Sequence, residues 1–202
     1  QALFQIPFGF LSDHYGRKRM IYLGLLIFAL GSVAAALADS IWGMILGRAL
    51  QGGGAVSAAV IALAADLTRE EHRIKVMAAI GITIGLSFAV SMIMGPVLNS
   101  WIGVSGIFWL TGLCALLSIA VVWFRVPNPA LSRVHRDAEP VASQFGQVLA
   151  DIQLLRLNFG IFILHLLLTA TFVAMPLALR DAGLPSDRHW EVYLPALLLS
   201  MA

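Results

Sequence analysis

The sequence predicts an all-α polytopic membrane protein, on three observations. Of the 202 residues, 59% are hydrophobic and only 12% are charged, whereas about a quarter of a soluble domain is charged. The mean hydropathy of +0.87 leaves too little polar surface for a soluble or a disordered chain. Long uncharged stretches alternate with short charged segments, and a helix needs about 20 apolar residues to cross the bilayer core.

The gaps between charged residues define the spans. Residues 20–38 hold no charge, residues 41–65 hold only Arg48, and the 49 residues after Lys75 are uncharged. As one helix that last stretch would measure roughly 74 Å, more than twice the bilayer core, so we expect it to turn at 99–106. Five complete spans are predicted, at 20–38, 41–65, 76–98, 106–124 and 157–179.

Shorter apolar segments at both ends are expected to belong to incomplete spans. Residues 1–10 are too short to cross and show neither an initiator methionine nor a signal-peptide pattern. Residues 192–202 stop in mid-pattern. We therefore expect an internal fragment of a longer protein.

Basic residues in the loops predict the orientation. Ten of the 13 lie in alternate loops, two lie in the 180–189 segment and one lies inside a span. The positive-inside rule makes the loops with ten basic residues cytoplasmic and 180–189 periplasmic. The ten are Arg17, Lys18, Arg19, Arg69, Arg73, Lys75, Arg125, Arg133, Arg136 and Arg156.

The 125–156 segment is the clear linker, because three prolines and mixed charges interrupt the apolar pattern. From Ser143 on, apolar residues at helical spacing predict an amphipathic helix on the inner membrane surface. A cytosolic helix packed on the base of the bundle is the alternative. The apolar stripe consists of Phe145, Val148, Leu149, Ile152 and Leu155.

Composition and missing motifs exclude several functions. The 13 basic and 11 acidic residues are too evenly balanced to bind nucleic acid. The single cysteine, Cys114, has no partner for a disulfide or a zinc site. The sequence shows no phosphate-binding loop and no nucleophile–base pair, so we expect no enzyme activity, no metal and no cofactor.

The sharpest motif joins the first apolar segment to the first complete span. Gly9 permits close helix approach, and Gly16 permits a tight reversal. Asp13 lies next to a membrane edge, where a carboxylate can cap a helix or pair with an arginine. A generic hairpin would explain the cations but not the glycine–aspartate–glycine spacing. The motif residues are Gly9, Asp13, Gly16, Arg17, Lys18 and Arg19.

This spacing resembles motif A of the major facilitator superfamily, G-x-x-x-D-R/K-x-G-R/K-R/K, with His14 in place of one usual cation. The resemblance covers the whole chain and implies an incomplete bundle of that superfamily, from the end of its second span to the start of its eighth. It implies an N-terminal six-helix half over 1–125, a central cytoplasmic loop over 126–156 and the start of a C-terminal half over 157–202.

A second motif lies inside the second complete span. An arginine such as Arg48 costs about 2.5–3.5 kcal/mol to insert, so we expect it to face a cavity or a polar partner. Gln51 lies one turn away; snorkelling of Arg48 to the outer edge is the alternative. The segment resembles the superfamily's motif B, R-x-x-Q-G-x-x-x-A, which implies a coupling or cavity role for the arginine.

Small residues in the next span predict a helix-packing face. They match the superfamily's efflux motif C, G-x-x-x-G-P-x-x-G-G, only in part, so pure packing and an efflux role both stay open. With one glycine from the preceding span, the residues assigned to packing are Gly52, Gly85, Ser91, Gly95 and Pro96.

Two further features are candidate sites. The capping-box spacing of Thr68 and Glu71, after Asp66, predicts a solvated helix start; a gate contact with residues 17–19 is the alternative. His165 is the only titratable group in the last complete span. It is a candidate proton relay or cavity residue, with a packing role as the alternative.

The resemblance implies a secondary active transporter whose halves rock around a midplane site. We expect a monomer that couples protons to efflux of small molecules in the lipid bilayer; metabolite uptake, and a scaffold or sensor that moves nothing, are the alternatives. The complete spans hold no Asp or Glu, so the proton needs a carboxylate from elsewhere, a loop acid or His165. Segments such as FQIPFGFLSD resemble bacterial inner-membrane transporters, which implies that location.

Overall fold

The computed structural model describes residues 2–54, 56–128, 146, 150–185 and 188–200. It divides into two compact units, Gln1–Val134 and His135–Ala202. The first unit contains α1 (Ala2–Tyr15), α2 (Arg17–Ala36), α3 (Ile41–Gly53), α4 (Ser57–Asp66), a 3-10 turn (Glu70–His72) and α5 (Arg73–Arg125); the second contains α6 (Ile152–Asp181) and α7 (Trp190–Ser200).

The all-α membrane architecture predicted from the sequence is confirmed over these residues. No strand occurs in the described ranges, and four helical stretches are long and apolar enough to cross a membrane. Three of them match predicted spans to within a few residues, and the fourth contains two predicted spans. The four are Arg17–Ala36, Ile41–Asp66, Glu70–Arg125 and Ile152–Asp181.

The predicted third and fourth spans lie on one helical stretch, α5. Its only non-helical residue is Gly103, with φ 66° and ψ 178°. The interruption is therefore shorter than the predicted turn over 99–106. Glycine has no Cβ and adopts positive φ without strain, so a single residue breaks the helix and regular hydrogen bonding resumes on both sides.

The predicted span over 41–65 is two helices rather than one. The break lies at Gly54, which is buried and has φ −76° and ψ 57°. A Cβ on Gly54 would collide with the carbonyl oxygen of Gly24 and lie 3.0 Å from Cβ of Phe28. Glycine is required at the break because α2 passes so close to it.

α2 is the central helix of the first unit. It packs chiefly against α3 and α5 and also contacts α1 and α4. A Cβ on Gly47 of α3 would lie 2.5 Å from the backbone nitrogen of Ala35, and one on Gly31 would lie 2.8 Å from Cα of Gln51. These glycines bring the two backbones into direct contact, as small residues do where lipid supplies no hydrophobic driving force between helices.

We expect Gly47→Ala to lower the free energy of unfolding by about 1–3 kcal/mol, because the added methyl meets backbone atoms of Ala35. Gly53→Ala is the matched control on the same helix. Its methyl would lie 3.6 Å from Ile27 Cγ2, an ordinary contact, so stability should change by less than about 0.5 kcal/mol. Denaturant unfolding of the purified full-length protein measures both; equal values would contradict the close approach.

α6 begins before the predicted span at 157–179. Its cap is Asp151, whose carboxylate accepts hydrogen bonds from the backbone N–H groups of Gln153 at 2.8 Å and Leu154 at 3.3 Å. A carboxylate at this position satisfies unpaired N–H groups of the first turn. The predicted amphipathic helix from Ser143 lies largely outside the described residues, and its last part, from Ile152, belongs to α6.

The orientation from loop charges stays a prediction and has a direct test. In a background without Cys114, Ser132→Cys should be protected from an impermeant thiol reagent added outside intact cells, because its loop is on the basic, cytoplasmic side. Ser186→Cys, in the segment predicted to be periplasmic, is the matched control and should react. Labelling of Ser132→Cys from outside would reverse the assignment.

Candidate functional site

The first cluster of polar residues lies where α1 meets α2. The two helices are joined by Gly16, whose φ of 95° suits glycine. Asp13 therefore lies on the last turn of α1, while Arg17 and Lys18 open α2. Arg17 and Lys18 are neighbours in the sequence. On the first turn of α2 their side chains contact different partners.

Arg17 links three parts of the first unit. Its guanidinium forms an ion pair with Asp13, donates from Nε to Oδ2 of Asp66 at 3.1 Å, and donates from Nη1 to Oγ of Ser12 at 2.8 Å. The Ser12 hydroxyl is buried and donates to the Gly9 carbonyl at 2.7 Å. One arginine thus holds carboxylates from the ends of α1 and α4.

The ion pair between Arg17 and Asp66 corresponds to the alternative given for the charged loop after α4, a gate contact with residues 17–19. The capping box predicted for Thr68 and Glu71 is wrong. The Thr68 hydroxyl instead donates to the carbonyl of Ala64, one turn back on α4, at 2.6 Å, and Arg69 precedes the 3-10 turn without a side-chain cap. The hydroxyl of a residue just after a helix can reach the last carbonyls of that helix. Thr68 forms this bond instead of a capping box.

Lys18 contacts the end of α5. Its Nζ donates to the carbonyl of Val126, the residue that follows that helix, at 2.8 Å. Cations stabilise helix C-termini because they meet unpaired carbonyls and the negative end of the helix dipole. Beside this contact Ile21 packs with Val122 and Val126. Lys18 therefore ties the start of α2 to the end of α5.

The remaining motif residues contribute less in the described part of the chain. A Cβ on Gly9 would lie 3.9 Å from Cβ of Ala58, an ordinary contact, so the described helices alone do not require glycine there. His14 is exposed, with its ring 4.7 Å from that of Phe10. Arg19 is exposed as well. The contacts of this motif A segment centre on Arg17 and Lys18.

The second cluster surrounds Arg48. Its Nη1 donates to Oε1 of Gln51 at 2.8 Å, and Nε2 of Gln51 donates to Oγ of Ser32 on α2 at 2.6 Å. The Ser32 hydroxyl in turn donates to the carbonyl of Phe28 at 2.9 Å. Gln51 and Ser32 are buried, so the charge of Arg48 is connected through satisfied hydrogen bonds to the centre of the unit.

α5 adds a third side to this cluster. The Arg48 guanidinium carbon lies 5.9 Å from the ring centroid of Phe108, within cation–π range. The Thr111 hydroxyl donates to the Phe108 carbonyl at 2.9 Å and lies 3.5 Å from Oγ of Ser32. The exposed Arg48 side chain therefore contacts residues of both α3 and α5, and its role in a cavity rather than as a snorkelling residue stays a prediction.

A cavity of about 450 Å³ opens beside this cluster. Most of its wall is apolar, and Arg48 supplies its one charged side chain among the described lining residues. Gly52, which the sequence assigned to helix packing, lines this cavity. The lining residues are Leu25, Phe28, Arg48, Gln51, Gly52, Gly54, Val56, Thr111, Cys114, Ala115 and Ser118.

The proposed packing face on the first part of α5 has no partner among the described residues. No atom lies within 4 Å of a Cβ built on Gly85 or Gly95. The Ser91 hydroxyl donates back to the carbonyl of Ser87 at 2.7 Å, and Pro96 lies inside the helix. The packing assignment for this face stays a prediction.

His165 lies in the second unit, on α6. It is exposed, and its Nδ1 is 2.9 Å from the carbonyl of Ile161, one turn earlier. This contact is to its own helix. Its assignment as a relay or cavity residue stays a prediction.

Sequence reasoning missed the partners that lie far along the chain. Ser12, Ser32 and Thr111 complete the two clusters, and none was singled out. The available signal was a hydroxyl residue inside an otherwise apolar stretch. That signal is weak, because serine and threonine hydroxyls often bond to their own helix, as Thr83 and Thr171 do here.

The fold is that of a multi-pass membrane protein, and the two clusters lie on the segments that resemble motifs A and B. The family model of the Major Facilitator Superfamily matches residues 1–202, and the chain belongs to that superfamily. Motif A and motif B, inferred from residue spacing, thus lie in a genuine member of the family.

Three relatives place the chain within the superfamily. It is 52% identical over 200 residues to the inner membrane transport protein YajR of Escherichia coli (strain K12), covering 99% of this chain and 44% of that protein. It is 37% identical over 202 residues to an uncharacterized transporter of Buchnera aphidicola subsp. Acyrthosiphon pisum, covering 99% and 52%. A triacylglyceride transporter of Mycolicibacterium smegmatis is 33% identical over 152 residues, covering 72% and 26%. The chain thus spans about half the length of the first two relatives.

Proposed function

We propose that the full-length protein exports small molecules across the bacterial inner membrane in exchange for protons, by alternating access. The observation that carries the proposal is the Arg48 cluster: a permanent charge inside an apolar span that donates to buried Gln51, which in turn donates to buried Ser32, beside a cavity. Ionisable residues within membrane spans are costly and mark substrate or ion pathways. The inner-membrane location is supported by the similarity to YajR.

Arg48 acts electrostatically in this proposal. An arginine side chain stays protonated throughout the physiological range, so it does not carry the proton. It stabilises the ionised form of a carboxylate that approaches it, and it is released when that carboxylate takes up a proton. Because the complete spans hold no Asp or Glu, the proposal assigns the carboxylate to the rest of the full-length protein.

The Arg17 cluster is proposed as the cytoplasmic gate of the same cycle. Arg17 joins Asp13 on α1 to Asp66 on α4, and both ion pairs are partly buried. Such pairs are screened less by salt than fully exposed ones. They keep the cytoplasmic ends of these helices together in one state, and their rearrangement accompanies the change to the other state.

Export of apolar or amphipathic compounds is supported by the cavity wall, which is mostly apolar. The similarity to a protein named a triacylglyceride transporter also supports an apolar or amphipathic substrate. A scaffold or sensor would need neither the Arg48 cluster nor the ion pairs of Arg17.

Proton flux in vesicles tests the proposal. Inverted membrane vesicles that contain the full-length protein are acidified inside by respiration, and a panel of anionic, neutral and cationic amphipathic compounds is added. A transported compound should dissipate the pH gradient in proportion to the amount of protein. If no compound does so although the protein is inserted, the scaffold alternative replaces the transporter.

A further inference from the structure

We propose that the cavity beside Arg48 binds a small amphipathic monoanion, that is, an apolar body with one carboxylate or sulfonate group. This inference rests on the proposed function, because it names the class of substrate that the same site would carry. It depends on which hydrogen-bond donors face the cavity, on the charge of its lining and on its apolar wall.

One edge of the Arg48 guanidinium is the candidate site for an anionic group. Nη1 of Arg48 donates to Gln51 at 2.8 Å, and one face of the group lies over Phe108. In the described part of the chain, Nε and Nη2 have no hydrogen-bond partner. These two groups form the edge of a guanidinium that donates two parallel hydrogen bonds to a carboxylate. This edge is therefore free for the anionic group of a ligand in the state in which the proposed carboxylate partner has taken up a proton and been released.

The hydroxyl groups of Thr111 and Ser118 in the lining already donate to backbone carbonyls. The Thr111 hydroxyl donates to the carbonyl of Phe108 at 2.9 Å, and the Ser118 hydroxyl donates to that of Cys114 at 2.8 Å. A hydroxyl has one proton, so neither has a donor left for a ligand. Since none of the described lining residues is acidic, the electrostatic complement of this cavity is a single negative charge.

The apolar part of the lining suits an apolar ligand body. Leu25, Phe28, Val56 and Ala115 form an apolar wall of the same cavity. The cavity volume of about 450 Å³ lies within the range of small-molecule sites, about 300–1,000 Å³. A ligand that buries an apolar body against this wall and presents one anionic group to Arg48 satisfies both surfaces. A cation would face an unpaired positive charge at short range, which is unfavourable.

Three naphthalene compounds of similar shape test the inference by calorimetry on the full-length protein in nanodiscs. 1-Naphthoate should bind about tenfold more tightly than neutral 1-(methoxymethyl)naphthalene, equivalent to about 1.4 kcal/mol, and 1-naphthylmethylammonium should bind most weakly. Arg48→Gln should remove the advantage of naphthoate over the neutral compound. Arg69→Gln, an exposed arginine before the 3-10 turn, is the matched control and should keep it.

A second measurement needs no variant. Cys114 is exposed and lines the cavity, so bound naphthoate should slow its alkylation by a maleimide severalfold in the wild-type protein. Equal affinities for naphthoate and the neutral compound, or unchanged alkylation, would overturn the inference. If neutral or cationic compounds still drive proton flux in vesicles, the proposed function stands and only the anionic class is wrong.

Discussion

Arg48→Ala should lower substrate-dependent proton flux about 10- to 100-fold. A hydrogen bond to a charged group is worth about 1.5–3 kcal/mol, and each 1.4 kcal/mol corresponds to a factor of ten. The alanine would also leave the buried amide of Gln51 without its partner at Oε1. Arg48→Lys should lose most of the flux as well, because lysine keeps the charge but lacks the planar group that reaches Gln51 and Phe108 together.

The competing interpretation makes the opposite forecast. A snorkelling arginine would tolerate lysine fully and alanine almost fully, because removal of an unpaired charge relieves an insertion cost. Membrane insertion and expression of each variant are measured alongside flux, with Arg69→Ala as the matched arginine control. Full flux through well-inserted Arg48→Ala protein would contradict a role in the transport cycle.

Asp13→Asn should shift the resting population toward the inward-open state about 5- to 150-fold, the usual range of conformational coupling, about 1–3 kcal/mol. Its physical reason is the loss of the ion pair with Arg17, which leaves that guanidinium bonded to Asp66 and Ser12 alone. Arg17→Gln should shift the population further, because it removes both carboxylate contacts at once. The readout is the ratio of Cys114 labelling by impermeant thiol reagents from the two sides of the membrane.

Arg19→Gln is the matched control for the gate. Arg19 is the neighbouring cation of the same motif and is exposed, so its replacement should leave the labelling ratio unchanged. If the effect of Arg17→Gln came only from the loss of a positive charge on the cytoplasmic side, Arg19→Gln would change the labelling ratio equally. If Asp13→Asn and Arg17→Gln inserted normally with the wild-type ratio, the cluster would be a structural contact and not a gate.

The parts of the fold that depend on composition could be predicted from the sequence. Charge is so costly in a bilayer core that charge-free stretches mark the spans directly, and α2 begins and ends within three residues of the predicted 20–38 span. The break of the 41–65 span could not be predicted in the same way. It depends on the close approach of Gly54, at the break, to Gly24 of α2, and no local pattern encodes an approach between distant parts of the chain.

The same distinction applies to the candidate sites. The pairing of Arg48 with Gln51 follows from helical geometry, because residues three apart lie on one face. The next partner, Ser32, is 19 residues away from Gln51, and it is reached only because Gly31 and Gly47 let α2 and α3 touch. Lys18 and Val126 are 108 residues apart. The charged residues near and within the membrane could be identified from the sequence, whereas their contacts depend on how the helices pack.

The most direct test of the transport account is the sidedness of the Arg48 cavity. Cys114 lines that cavity, so its labelling by an impermeant thiol reagent, followed by mass spectrometry of its peptide, reports which side is open. In right-side-out and inverted vesicles with the full-length protein, Cys114 should react from one side in a given pH gradient and from the other side when the gradient is reversed. Labelling that is the same from both sides, or that does not respond to the gradient, would contradict alternating access.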